Sequence, residues 1–496
     1  MSNTNDVEIT VSDGSGAVVV VPSAKVQVKI GVGSGGTAAI NQVCASTQPS
    51  QLEALHGRGP LAECAAIAAL AGAVILSVQI PIVTLGTATA VVHAGTGGSV
   101  MTATLDGTVG AFDDYYVVVK SVLAGTIGTG PVNIQFSLDA GRTFSPVLAL
   151  GTATTYAIPN TGITLNFTVG TMVVGDTYKF RTVAPAGNDA GVTAAIAALQ
   201  ASPYAIQGWG SMHLVGPING ASAATYQTNL ETAAVTYDVF TRIMTEARDA
   251  SPATTWGGSG ETEAAWMSSL QTSFSALQAR REGVGAGHYN MVSAFPILGT
   301  TFRYRRPGEW AVAARVTTIP TQRMASRVSD GQLSQIIVDP TSDPGDGFIY
   351  HDERITPGLT GSRFQACRTR VGKGVGFYLD LPNLMSPTGS DFQYFPQGSV
   401  IDVVCDIAKQ TAADEIDNDL ILNTNGTISE SDALRIESVT NQAIKNSCTD
   451  VKMISGGSVV VSRTQNVRTT GKVLMTVTIN GVGYVTEVDI TVGFQH

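Results

Sequence analysis

The order of apolar and polar residues changes character several times along the chain, and each change predicts a different element. Near the start, Val7, Ile9 and Val11 alternate with Glu8, Thr10 and Ser12, and Val26, Val28 and Ile30 alternate with Lys25, Gln27 and Lys29. A period of two puts one set of side chains on each face, the mark of half-buried strands. The strand at 7–11 has no hairpin partner beside it, so it must pair with something distant or with another chain. Residues 1–30 therefore read as an extended N-terminal arm. Further on, Leu61, Cys64, Ile67, Ala68 and Ala71 recur at helical spacing after Pro60, and a buried strand is predicted at Val74–Ile80.

From about 82 to 186 the rhythm becomes short β-rich runs (115–119, 132–138, 156–158, 163–169, 178–183) separated by Gly turns, which predicts a β-sandwich. Because an α/β pattern resumes after it, the segment reads as an insertion. An insertion at an exposed loop is expected to be peripheral to the fold. Between 190 and 320, Trp266, Leu270, Phe274 and Leu277 share one helical face. Thr262 and Glu263 stand at that helix's start and Arg280 and Arg281 near its end, as the helix dipole favours. Strands near 212–215, 239–244 and 287–291 complete a βαβ rhythm and a mainly parallel sheet. Beyond 361 the pattern predicts a hairpin at Gly372-Lys373-Gly374, helices at 399–416 and 430–446, and strands at 459–461, 473–479 and 484–494, with a turn at Asn480-Gly481-Val482-Gly483. Val488, Ile490, Val492 and Phe494 share a face of the last strand. The expected fold is thus mixed α/β (α+β). Residues 31–81 with 187–360 form an α/β core, 82–186 an inserted β-sandwich, and 361–496 a C-terminal mixed domain ending in a strand arm.

Composition sharpens this picture. A chain of 496 residues is too long for one core and suits roughly three domains. Only 14% of it is charged, against about 25% in ordinary soluble proteins, so much of the surface is expected to be covered by partners. The net charge is −10, and the densest basic run, Arg303-Tyr304-Arg305-Arg306, reads as a solvated or interface patch; a nucleic-acid partner is not expected. The five cysteines, Cys44, Cys64, Cys367, Cys405 and Cys448, are scattered without CxxC spacing, which points away from metal or disulfide frameworks and toward synthesis in a reducing cytosol. The first residues lack the pattern of a secretory signal. The apolar stretch 65–80 is broken by Gly72 and falls short of the roughly 20 residues of a membrane span, so no membrane insertion is expected.

Three motifs could carry chemistry. Gly31-Val32-Gly33-Ser34-Gly35-Gly36 has the spacing of a dinucleotide-binding loop after a strand, with Glu53 near the place of the ribose-binding acid. Glu53 sits in a helical pattern rather than at a strand end, and the bland reading is a turn leaving a first strand. The run from Asn423 to Asp432 resembles part of a calcium loop, but Ile421 would occupy its first ligand position. A turn into a helix capped by Ser429, with Asp432 three residues on, fits better. His351-Asp352-Glu353 and Asp339, Asp343 and Asp346 lie among Pro and Gly, where carboxylates solvate loops. No catalytic, cofactor or metal residue is assigned.

The C-terminal third nevertheless carries a familiar order of motifs: Pro387-Thr388-Gly389-Ser390-Asp391-Phe392, Val400-Ile401-Asp402-Val403-Val404-Cys405, Asn425-Gly426-Thr427-Ile428, and Val461-Ser462-Arg463-Thr464-Gln465-Asn466-Val467. Upstream, Gly57-Arg58-Gly59-Pro60-Leu61, Ser137-Leu138-Asp139-Ala140-Gly141, Glu246-Ala247-Arg248-Asp249 and Arg306-Pro307 before Trp310 fit the same series. This order resembles contractile phage tail sheath proteins over nearly the whole chain. The resemblance implies a non-enzymatic structural subunit of a helical sheath, stacked as rings, commonly sixfold, around a tail tube protein and bounded by baseplate and tail terminator proteins. It places the protein in a virion tail assembled in the host cytoplasm. It also implies that terminal strands (Val7, Ile9, Val11; Val488, Ile490, Val492, Phe494) add to sheets of neighbouring subunits. If the subunit cores stay rigid while the sheath shortens, Gly14, Gly16, Gly31 and Gly33 are the expected hinges. Two other readings stay open: a nucleotide-dependent enzyme using the Gly31–Gly36 loop, and a surface or adhesin-like structural protein built on the β segment.

Overall fold

The computed structural model describes residues 26–237, 239–337, 358–387 and 389–486. They fall into two compact units, divided after Ser399 and not near 361.

The larger unit opens with β1 (Val26–Val32), β2 (Val43–Ser46), α1 (Pro49–His56), α2 (Pro60–Leu70) and β3 (Val74–Ile80). Pro60 opens α2, where a missing N–H costs nothing. Nine of its eleven residues are buried, as a helix apolar on all sides requires. The β-rich segment follows. Its first strands are β4 (Thr87–Ala88), β5 (Val92–Ala94), β6 (Met101–Leu105) and β7 (Tyr116–Leu123). Next come β8 (Gly125–Thr126), β9 (Asn133–Ser137), β10 (Leu148–Ala149), β11 (Thr155–Ile158), β12 (Ile163–Phe167), β13 (Thr171–Met172) and β14 (Thr177–Val183). The α/β rhythm then resumes with α3 (Asp189–Gln200), α4 (Tyr204–Gln207), β15 (Ser211–Ile218), α5 (Gly220–Thr236), β16 (Ile243–Ala247), α6 (Glu263–Phe274) and β17 (Glu282–Gly285).

Five of these strands form a parallel sheet in the order β17-β16-β15-β1-β3, and β2 closes one edge antiparallel to β3. Helices cover both faces, as a parallel sheet demands. Val28, Ile30, Leu214 and Ile243 pack toward Val192 and Ile196 of α3 and Tyr226 and Leu230 of α5. On the other face α2 meets α7 (Glu309–Val316) across Ile67, Trp310 and Ala313. Thr262 caps α6 by accepting from Ala265 N, and Trp266, Leu270 and Phe274 are its buried face, as predicted; the helix ends at Phe274, so Leu277, Arg280 and Arg281 lie beyond it and not in its last turn.

β1 is the largest departure from expectation. Residues 26–30 are not part of an arm: they form a central strand, paired on both sides and buried on both faces, Gln27 and Lys29 included. The strand predicted near 287–291 also has another role. β18 (His288–Val292) forms an antiparallel hairpin with β19 (Arg303–Pro307), and the fifth parallel strand is β17.

Every pair of named strands in the β segment is antiparallel, with β10-β9-β7-β14-β4 in one sheet and β11-β12-β6 in another. The inner faces of both share one core around Val117, Phe136, Leu165 and Phe180. That core also contains Ile297, Phe302 and Tyr304, from the β18–β19 hairpin and its loop. The segment is therefore not peripheral. Arg305 and Arg306 of the same hairpin are buried, not solvated: Arg305 pairs with Asp249 at 2.5 Å, and Arg306 pairs with Glu63 and Asp113. The larger unit ends in a short hairpin, β20 (Cys367–Arg368) with β21 (Tyr378–Leu379).

Helix α8 (Phe395–Ala413) spans the division. The smaller unit continues with α9 (Glu430–Ile444), β22 (Ile454–Val461), α10 (Val467–Thr470) and β23 (Met475–Gly481). Ser429 caps α9 by accepting from Asp432 N at 3.2 Å, and Gly426 takes φ +83° in the turn before it, so the calcium-like run is a turn and a cap. Val400, Val404 and Ile407 pack with Ala443, Cys448, Ile454 and Val459.

Candidate functional site

The residues expected to form inter-subunit strands (Val7, Ile9, Val11, Val488, Ile490, Val492, Phe494) and two of the expected hinges (Gly14, Gly16) lie outside the described residues. So do Asp339, Asp343, Asp346, His351, Asp352 and Glu353. What the structure does describe is a surface that could receive a strand. β22 and β23 form a two-stranded antiparallel sheet. On the outer edge of β22, Val459 N donates to Asn441 Oδ1 at 3.0 Å and Val461 N to Glu437 Oε1 at 2.6 Å, so α9 satisfies that edge. Directly opposed residues of an antiparallel pair turn their backbone groups the same way, both toward the partner or both away. Val459 faces Val477 and Gly457 faces Ile479, so Val477 and Ile479 turn their N–H and C=O outward. Among the described residues no strand pairs with that edge of β23. An unpaired edge of this kind is a template for another strand. Sequence patterning located both strands but not the role of α9, because side-chain capping of an edge has no periodic signature.

The Gly31–Gly36 loop has a different geometry from a phosphate cradle. Gly31 lies inside β1, where an added Cβ would stand 3.2 Å from Val215, and at Gly33 one would meet the Gln79 side chain at 2.3 Å. Both glycines serve close packing, which does not support them as hinges. The loop does not open a helix; β2 comes next. The loop and the residues just after it are tied to the C-terminal end of α1: Ser34 N donates to His56 O at 2.8 Å, Thr37 N to Ala54 O at 3.1 Å and Ala38 N to Leu55 O at 2.9 Å. At Gly36 a Cβ would sit 2.1 Å from Leu55 O. The loop lines an open cleft of about 490 Å³ together with Glu53, Arg58 and Asp106. Arg58 is committed to Glu53 at 2.6 Å and to Pro296 O at 2.8 Å. A nucleotide phosphate would find the helix end of the wrong polarity and an already paired cation.

One cluster of titratable side chains is internal. On the sheet face under α2 and α7, Lys29 Nζ lies 2.7 Å from His213 Nδ1, and His213 Nε2 lies 2.9 Å from Glu246 Oε1. Glu246 also accepts from Trp310 Nε1 at 2.6 Å and from Gly216 N at 2.9 Å. Cys64 Sγ is 3.4 Å from His213 Nδ1. Gln27 donates to Ser211 Oγ and to Ala313 O, and His56 Nε2 lies 2.7 Å from Ser77 Oγ. Burial raises Glu246 to about 7 and the Cys64 thiol to about 12, and it lowers Lys29. Cys, His and Glu in sequence would suit nucleophilic chemistry, but each of these side chains is at most 2% exposed and the thiol is held protonated. The arrangement can hold a proton; no substrate can reach it. It is a polar seam that joins β1, β15, β16 and α7. Among the described residues no group of three or more His, Cys, Asp or Glu could hold a metal ion, and no helix is long and apolar enough to cross a membrane.

Residues 4–347 match the N-terminal domain of DUF2586. The chain belongs to the DUF2586 family. No curated protein matches it. Among solved structures, this DUF2586 chain is similar to the helical sheath of the anti-feeding prophage in its contracted state, with a TM-score of 0.40 and 13% identity over 65% of this chain and 79% of that one. It is also similar to the anti-feeding prophage baseplate (TM-score 0.35, 9% identity, 62% of this chain and 66% of that one). A third neighbour is the contracted sheath complex of the extracellular contractile injection system PVC (TM-score 0.37, 10% identity, 57% and 70%). Its structural neighbours are thus baseplate and sheath proteins of contractile injection systems.

Proposed function

We propose that this DUF2586 chain is a non-enzymatic structural subunit of a helical contractile sheath, stacked in rings around a tail tube and bounded by baseplate and terminator proteins. The observation that carries the reading is the outer edge of β23. It offers the backbone groups of Val477 and Ile479 to an incoming strand while α9 closes the other edge of the same sheet. A strand contributed by a neighbouring subunit, from 7–11 or 488–494, would complete that sheet by β-augmentation. The ordered series of sheath-like motifs and a chain only 14% charged support the same reading. Contraction would turn subunits about the joints of such arms, with Gly14 and Gly16 the hinge candidates.

The test is electron microscopy of the purified full-length chain over a range of protein concentrations. Regular tubes are expected, and deletion of residues 1–22 is expected to leave a folded chain that forms none. A protein that stays monomeric at every concentration, or a deletion that tubulates normally, overturns the proposal.

A further inference from the structure

Two exposed segments of the chain carry complementary chemistry. The loop joining β20 to β21 lifts Val371 and Val375 into solvent at 94% and 80% exposure. Its charge is basic: Arg368 and Arg370 share the single acid Asp380, at 3.2 and 3.6 Å, and Lys373 has no ion-pair partner among the described residues. The segment after α8 has the same design with opposite sign. Ile416 and Ile421 stand 71% and 68% exposed. Asp414, Asp417 and Asp419 are exposed around them with no ion-pair partner among the described residues, while Glu415 is held by Arg435 at 2.7 Å.

Each segment thus joins large exposed apolar residues to a surplus of charge of one sign, in a chain where charge is scarce. We propose that the 370–375 loop of one subunit packs on the 414–421 segment of the next. Valines would meet isoleucines at the centre, with Arg370 and Lys373 facing Asp414 and Asp417 at the rim. A second copy is the fitting occupant because the chain itself carries both halves of the match. Two different patches meeting head to tail form a heterologous contact, which closes into a ring or propagates as a helix. The contact rests on the sheath-subunit reading and adds to strand exchange a side-chain interface that sets subunit order by charge.

Two full-length variants test it. One carries Arg370→Glu with Lys373→Glu; the other carries Asp414→Lys with Asp417→Lys. Lys373, Asp414 and Asp417 are exposed, and Asp380 keeps Arg368 at 3.2 Å when Arg370 is replaced, so both variants should keep the parental melting curve by circular dichroism. Alone, each presents like charges at the contact, and its assembly threshold by sedimentation should rise at least about tenfold over the parent. Mixed in equal amounts they should co-assemble near the parental threshold, because each supplies what the other reversed. Variants that assemble like the parent, or a mixture that assembles no better than its components, overturn the contact; with parental tubes present, the sheath reading survives that result. A parent that never assembles removes both.

Discussion

Glu282 shows how a single buried carboxyl writes itself into the behaviour of the chain. It is fully buried at the start of β17, with Oε1 accepting from Thr245 Oγ1 at 2.8 Å. Burial raises its pKa from 4.5 to about 8, while the Thr245 hydroxyl pulls the other way. Between those two values the folded chain keeps a proton that the unfolded chain has lost. Unfolding releases it, so stability falls as pH rises through the window, by up to about 1.4 kcal/mol per pH unit for this one group. Glu282→Gln keeps the hydrogen-bonding shape without the titration. Urea midpoints of parent and variant should therefore diverge from about pH 5 to about pH 8, the variant losing less stability. Equal pH slopes would show that Glu282 ionises freely in the folded state. Arg306 is the opposite case: a buried cation flanked by Glu63 and Asp113 and by the rings of Tyr304 and Trp310, whose removal would strand two carboxyls.

Among the elements, β23 carries the clearest consequence. Proline is tolerated where a strand N–H faces outward, and it removes the donor an incoming strand would use. Val477→Pro should leave the purified chain folded, with a far-ultraviolet dichroism spectrum like the parent's, and should abolish tubes in electron micrographs. Tubes formed normally by that variant would show that assembly does not use this edge. The elements also show where sequence patterning succeeds and where it stops. α6 was legible from Trp266, Leu270, Phe274 and the Thr262 cap, and β3 from the mostly apolar stretch Val74–Ile80, because each announces itself in the local sequence. β1 was legible as a strand but not as a central one. Its alternating Gln27 and Lys29 read as a solvent face, whereas they lie on a polar seam satisfied by Ser211, Ala313 and His213. Those partners stand 184 or more residues away in sequence, beyond the reach of any local pattern. β17 was missed because Glu282-Gly283-Val284-Gly285 holds one apolar side chain. The receiving edge of the candidate site was half legible: both strands could be read, but the residues that close one edge and leave the other open could not.

At the scale of the whole molecule, the β segment is bound into the larger unit by what it covers. Replacing 82–186 with a short Gly/Ser linker would uncover Ile297, Phe302 and Tyr304 and remove Asp113 from Arg306. Fully burying one large apolar side chain is worth about 1.5–3 kcal/mol, so the loss rivals the total stability of an ordinary domain. The shortened chain should aggregate or bind a hydrophobic dye; a monomeric product with a cooperative melt would show the segment to be dispensable. The same architecture has a consequence for the order of events on the ribosome. β1 is made early but waits for β15, and the core of the β segment waits for the hairpin at β18–β19, so the larger unit closes late and as one body. The strand edge at β23 lies further along the chain than every part of that unit. Translation itself therefore acts as a timer: a subunit cannot offer its adhesive edge to its neighbours until every residue of its larger unit has been made.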